Sequence, residues 1–245
     1  MNTLKDTYLP LSDSDTLSSP DPSASRHLAT AQAWVFDLDN TLYSASKNLF
    51  GQIDVRMKEY IARLLDIGHD EAYRVQKQYF REHGTTLRGL MDNHRIDPHE
   101  FLDFVHDVDL AVIGPDATLD AALSGLSGRK LVFTNADAVY AGRVLERLGI
   151  AHHFEAIFDI IQSDFTPKPD PAVYQQLVDL YRLDPMVTVM VEDMARNLKP
   201  AADMGMTTVW VHTDTPWGQE GSEAPHVHYR VDKGLGLWLT DLLAV

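Results

Sequence analysis

The chain of 245 residues contains no cysteine. Disulfides and thiolate metal sites are therefore excluded as ways of holding the fold or doing chemistry, and a reducing, cytoplasmic setting is expected. No apolar run approaches the length needed to cross a bilayer. The N-terminus has neither the apolar stretch of a signal peptide nor the acid-poor character of a transit peptide. Basic residues are scarce: 21 Lys and Arg stand against 36 Asp and Glu, a formal charge of −15 at pH 7. Such a balance argues against a nucleic-acid polymer or an anionic membrane as partner. A small anionic substrate fits only where a metal or local Lys and Arg reverse the field. What is present is a 44% hydrophobic composition, ample for a core in one domain with an insertion or two modest domains.

Residues 1–28, rich in Ser, Asp, Pro and Thr, read as a disordered tail. The run Ala33-Trp34-Val35-Phe36 then reads as a buried strand. From about Phe50 to Ile67 apolar residues recur at helical spacing, and further helices are expected over Asp70–His83, Leu87–Asn93 and from Asp97-Pro98 onward. This block, 49–113, shows no convincing strand. The rhythm then changes to strands alternating with helices: strands at Lys130–Phe133, Val187–Val191 and Thr207–Val211, a short element near Ile157, and helices at 116–126 and 138–148. Trp217–Pro225 reads as a loop, Val227–Val231 as a last edge strand and Leu235–Leu243 as a closing helix. The expected fold is α/β, a doubly wound parallel sheet from 29–48 and 114–245, with an all-helical cap inserted after the first strand.

Polar residues collect where the strongest strands end. Asp37-Leu38-Asp39 follows the first, Thr134-Asn135 the second, and Glu192-Asp193 a later one; Lys168 lies between Pro167 and Pro169 before a helix. Ligands of doubly wound sheets gather at the carboxyl ends of strands. Residues two apart in an extended segment point the same way, so Asp37 and Asp39 can share a pocket. Two neighbouring carboxylates need a proton or a cation between them. The set suits phosphoryl transfer, which asks for positioning, an in-line nucleophile and cationic neutralisation.

These residues resemble the haloacid dehalogenase superfamily of phosphotransferases. Its four motifs occur in order as Asp37-Leu38-Asp39-Asn40-Thr41, Val132-Phe133-Thr134-Asn135, Lys168, and Glu192-Asp193. A narrower resemblance, to the pyrimidine 5′-nucleotidase branch, lies in Asp39–Tyr43, Gln52–Ile61, Tyr79–Leu90 and Glu192–Leu198. The resemblance implies that Asp37 attacks phosphorus to form an aspartyl-phosphate and that Asp39 transfers protons. It further implies that Thr134, Asn135 and Lys168 bind phosphate. Mg²⁺ would be held by Asp37, the Asp39 carbonyl and Asp193, with Glu192 behind them. The substrate expected is UMP or CMP, and the partner a small phosphate monoester acted on by a monomer or homodimer. Alternatives are a sugar phosphate or phosphoglycolate, a mutase, or an inactive binding protein on the same fold. A dehalogenase is disfavoured, because halide leaves without the proton that Asp39 would give.

Other residues carry less. Tyr43 and Arg88 are expected in the substrate pocket, as are Phe50, Tyr79 and Phe80, although aromatic residues at helical spacing usually form core. Arg196 and Asn197 read equally as site or capping residues. Among the histidines, His152-His153, His212, His226 and His228 show no matching acidic or thiolate set, so no zinc site is expected.

Overall fold

The computed structural model describes Leu28 and residues 30–244. The expected tail thus falls outside the described residues except at its last position, and Leu28 is buried in the core. Strand β1 (Ala33–Phe36) is buried throughout. Its alternation sends Trp34 and Phe36 into the core on one face of the sheet and Ala33 and Val35 into the core on the other. Cover on both faces explains why the run is continuously apolar.

Among the described residues, five further strands complete one sheet: β2 (Arg129–Phe133), β3 (Ala156–Phe158), β4 (Thr188–Glu192), β5 (Thr207–Val211) and β6 (Tyr229–Val231). Their order is β3-β2-β1-β4-β5-β6 and every pair is parallel. The chain winds outward from β1 to β3, then returns to build β4 to β6 on the other side. The crevice between β1 and β4 is the point of reversal, where such sheets bind ligands. The doubly wound parallel sheet is therefore the one the sequence predicted. Strand β4 starts one residue later than expected, because Pro185–Val187 forms a tight turn.

Between β1 and β2 the described segments are helical: α1 (Leu49–Leu65), α2 (His69–His83), α3 (Thr86–His94) and α4 (Pro98–Val105). Thr85 caps α3 by accepting the Arg88 amide at 3.1 Å. Asp97 caps α4 by accepting the His99 amide at 2.9 Å, with Pro98 in the first turn. Tyr60 meets Phe101 edge to face at 5.0 Å, joining α1 to α4. Around the sheet lie α5 (Ala117–Gly125), α6 (Ala138–Leu148), α7 (Pro171–Tyr181), α8 (Ala195–Asp203), α9 (Pro216–Gln219) and α10 (Leu235–Leu243). The expected loop at Trp217 is a correction: Thr215 accepts the Gly218 amide and Pro216 sits in the first turn, enough to start the short α9. Among the described residues no helix is long and apolar enough to cross a membrane.

Candidate active site

The site begins where β1 stops. The Asp37 amide continues the ladder by donating to the Val191 carbonyl at 2.9 Å. The chain then turns on the Leu38 carbonyl, which accepts from the amides of Thr41 and Leu42. Asn40 takes the left-handed conformation this turn requires, with φ of 61°, a region that asparagine tolerates better than most residues. Asp37 and Asp39 are left lining one cavity together with Thr134, Asn135, Lys168, Glu192 and Asp193.

Lys168, 2% exposed, sits at the centre. Its Nζ donates to Asp37 Oδ1 at 2.7 Å, to Glu192 Oε2 at 2.7 Å and to the Phe133 carbonyl at 2.9 Å. All three ammonium donors are thereby used. Asn135 fixes the lysine's backbone, accepting its amide at Oδ1 at 2.9 Å. Asp37 Oδ2 accepts from the Thr41 hydroxyl at 3.0 Å, and Glu192 Oε1 accepts the Met194 amide at 3.1 Å. The Thr134 hydroxyl accepts the Ala136 amide at 3.0 Å, holding the β2 turn. Residues separated by more than a hundred positions thus meet at one sheet edge.

Electrostatics give the cluster its character. The carboxylates of Asp37, Glu192 and Asp193 lie within 4.8 Å of one another, all buried. Burial, reinforced by Glu192, pushes Asp37 up to about 7 even though Lys168 opposes the rise. Burial, with Glu192 and Asp37 adding to it, also pushes Asp193 well above the usual carboxylate range. Burial alone would lower Lys168, but Asp37 and Glu192 more than reverse it, so the ammonium stays charged. One buried cation cannot balance three buried carboxylates. The donor set of hard oxygens fits a divalent cation such as Mg²⁺.

Asp39 is raised by burial, against hydrogen bonds from two phenols. Tyr43 and Tyr140 both donate to its Oδ1, at 2.5 and 2.9 Å. Burial and the neighbouring carboxylate push both phenols above the ordinary tyrosine value, which keeps them donors.

Above the acidic floor the cavity, of about 210 Å³, is walled by Phe50, Ile53, Met57, Phe80, Phe101 and Val105 from the inserted helices. Of the residues expected there, Phe50 and Phe80 are present. Tyr43 and Arg88, expected there, are not among the residues that line the cavity. Tyr43 is turned into the core to reach Asp39, while Arg88 pairs with Asp92 one helical turn away at 3.0 Å. Tyr79 likewise lies outside, bonded to His94 at 2.8 Å. Arg196, on α8, does line it: its guanidinium donates to the Gly84 carbonyl at 3.2 Å and covers the Phe80 ring at 4.3 Å. Trp217 also lines it and meets Phe80 edge-on at 6.0 Å. Trp217, His106 and Tyr140 were not legible as site residues, since each reaches the site only through packing between distant segments. His152 and His153 do have an acidic neighbour, Asp120, at 3.3 and 2.7 Å.

Comparison with known proteins agrees with this fold. A family model described as haloacid dehalogenase-like hydrolase matches residues 31–205. Phosphate metabolism protein 8 of Saccharomyces cerevisiae is 29% identical over 205 residues, covering 76% of this chain; the chain spans 62% of that protein's length. Among solved structures, a HAD phosphatase from Thermococcus onnurineus shares the fold with a TM-score of 0.54 at 19% identity, over 82% of this chain and 93% of that one. The HAD-hydrolase YfnB from Bacillus subtilis, whose structure is bound to magnesium, has a TM-score of 0.52 at 16% identity, over 88% of this chain and 100% of that one.

Proposed function

The chain belongs to the haloacid dehalogenase-like hydrolase family, and from that premise we propose that it is a Mg²⁺-dependent phosphomonoesterase acting on pyrimidine nucleoside 5′-monophosphates. The observation that carries the reading is the Lys168 ammonium bridging Asp37 and Glu192, beside Asp193, with Asp39 on the same cavity. Asp37 attacks phosphorus; the P–O bond to the leaving group breaks, and Asp39 gives that oxygen its proton. Water then attacks the aspartyl-phosphate, Asp39 takes back a proton, and phosphate leaves with Asp37 restored. Lys168 holds the nucleophile in place and offsets charge on the phosphoryl group. Thr134 and the Asn135 amide bind its oxygens.

The carboxylates of Asp37 and Asp193 and the carbonyl of Asp39 would hold the cation, with Glu192 supporting them. When bound, the cation supplies charge neutralisation at the phosphoryl oxygens. The inserted block 49–113 serves as a cap that limits water at the site, and its aromatic wall suits a flat, small leaving group. The resemblance of the inserted helices to the pyrimidine 5′-nucleotidase branch supports UMP and CMP over other esters.

The test is phosphate release from UMP, CMP, AMP, glucose 6-phosphate and phosphoglycolate, with Mg²⁺ and with chelator. Preference for UMP and CMP, lost in chelator, is expected. Preference for phosphoglycolate or a sugar phosphate would replace the substrate and keep the chemistry. No turnover of any ester would leave an inactive binding protein.

A further inference from the structure

Asp39 must present a proton in one direction, yet a carboxyl group has two equivalent oxygens. Here they are not equivalent. Oδ1 accepts from both Tyr43 Oη and Tyr140 Oη, which occupies both of its lone pairs. A proton on Oδ1 would meet two phenolic hydrogens. Among the described residues no side chain or amide donates to Oδ2, and Asp39 lines the cavity.

The two phenols are themselves fixed. Tyr43 is 6% exposed and Tyr140 1%. The Tyr140 ring lies flat against the His106 imidazole, 4.3 Å between centroids and 13° between planes. His106 ends α4 in the inserted block, and its Nδ1 is paired with Asp137 Oδ2. Asp137 in turn caps α6 by accepting the Tyr140 amide at 2.8 Å. The ring is therefore set from one side by its own helix and from the other by the inserted helices. The two routes meet at Asp137.

We propose that Tyr43 and Tyr140 are positioning residues that reserve Asp39 Oδ1 as a fixed acceptor and leave Oδ2 as the oxygen that carries the proton, with His106 setting the Tyr140 ring from the inserted block. This rests on the reading of Asp39 as general acid and base given above. In the first step Oδ2–H protonates the departing ester oxygen, and the freed electron pair stays on Oδ2. In the second, Oδ2 accepts a proton from the attacking water while phosphorus gains the water oxygen and its bond to the Asp37 oxygen breaks, the electron pair returning to the Asp37 carboxylate. The phenols keep their protons throughout.

The test separates positioning of a proton donor from general damage. Tyr140→Phe keeps the ring, its volume and its stack on His106, and deletes one donor; Tyr43→Phe does the same on the other side. The value of kcat/KM reports steps through loss of the leaving group. It is measured with UMP, whose alkoxide needs a proton, and with 2,4-dinitrophenyl phosphate, whose phenolate leaves without one. For each single variant we expect a fall of about 10-fold to 100-fold with UMP and of less than about 3-fold with the aryl ester; the double variant falls further, within the roughly 10²–10⁴-fold that a general acid supplies. His106→Phe, which keeps a ring against Tyr140, should retain more UMP activity than His106→Ala. Equal losses on both esters would assign the tyrosines a packing role and overturn the proposal. So would no loss, or a gain with UMP, which would mean that the phenols hold Asp39 out of action. Failure of the underlying reading looks different: wild type would release no phosphate from either ester, or Asp37→Asn would match it on both.

Discussion

Replacing Asp37, the proposed nucleophile, should make the metal-free protein more stable while destroying its activity. Burial and Glu192 lift Asp37 from 3.8 to about 7, so the folded state holds that proton more tightly than the unfolded chain. The Asp37 contribution to stability is then greatest at low pH and declines as pH rises from about 3.8 to about 7. Above that window the charged carboxylate weighs against the fold by up to about 4 kcal/mol, at about 1.4 kcal/mol per tenfold. Asp37→Asn removes the charge and keeps the shape. Its Oδ1 can still accept from Lys168, and the Thr41 hydroxyl can reverse to accept from the new amide. In chelator at pH 8 we expect the variant to exceed wild type by between about 1 and about 4 kcal/mol in urea unfolding, with a melting point several degrees higher. At pH 5 the gap narrows, because wild-type Asp37 is then protonated in the folded state. Added Mg²⁺ should close the gap from the other side by stabilising wild type through binding. A variant less stable than wild type at pH 8, or a gap indifferent to pH, would refute the reasoning.

Three further outcomes follow from the same geometry. Lys168→Met strips the ammonium from two buried carboxylates; phosphate release with UMP should fall by at least about 10³-fold, with a loss of about 3 kcal/mol in chelator measured by urea unfolding. Asp137→Asn keeps an acceptor at the start of α6 but removes the carboxylate that is paired with His106. Burial would raise Asp137, yet its hydrogen bond and attraction to His106 hold it below the usual carboxylate range. That stability is present above the carboxylate's unfolded value and lost as pH falls through the folded one, so the wild-type advantage should fade on acidification in melting curves. Phe80→Ala removes the ring between Arg196 and Trp217. It should raise the KM for UMP about 10-fold with kcat little changed.

The parts of the molecule that were legible in the sequence are those in which chemistry is local. Apolar runs closed by Asp37, Asn135 and Asp193 announced both the strands and the rim they share, because a strand buried on both faces has no other way to read. The Asp97-Pro98 start signal located the last of the inserted helices for the same reason. Sequence also gave the order of the sheet's alternation, but not that β4 would lie directly beside β1 and so bring Glu192 to Lys168. Cavity residues were harder to read. Tyr43 and Arg88 satisfied a plausible pattern, and the fold sent one to Asp39 and the other to Asp92. His106 and Tyr140 are 34 residues apart, on α4 and α6, and only the docking of the inserted block stacks them. Asp120 likewise meets His152 and His153 across a helix–turn boundary that no spacing rule encodes.

The most direct measurement is chemical capture of the intermediate. During turnover of UMP with Mg²⁺, an acyl-phosphate on the enzyme is reduced by borohydride, converting the phosphorylated aspartate to homoserine, and peptide mass spectrometry then identifies the position. Homoserine at Asp37, absent without substrate and absent in Asp37→Asn, is the result expected. Homoserine at Asp39 or Asp193, or steady phosphate release with no trapped residue, would contradict the assignment of Asp37 as the nucleophile.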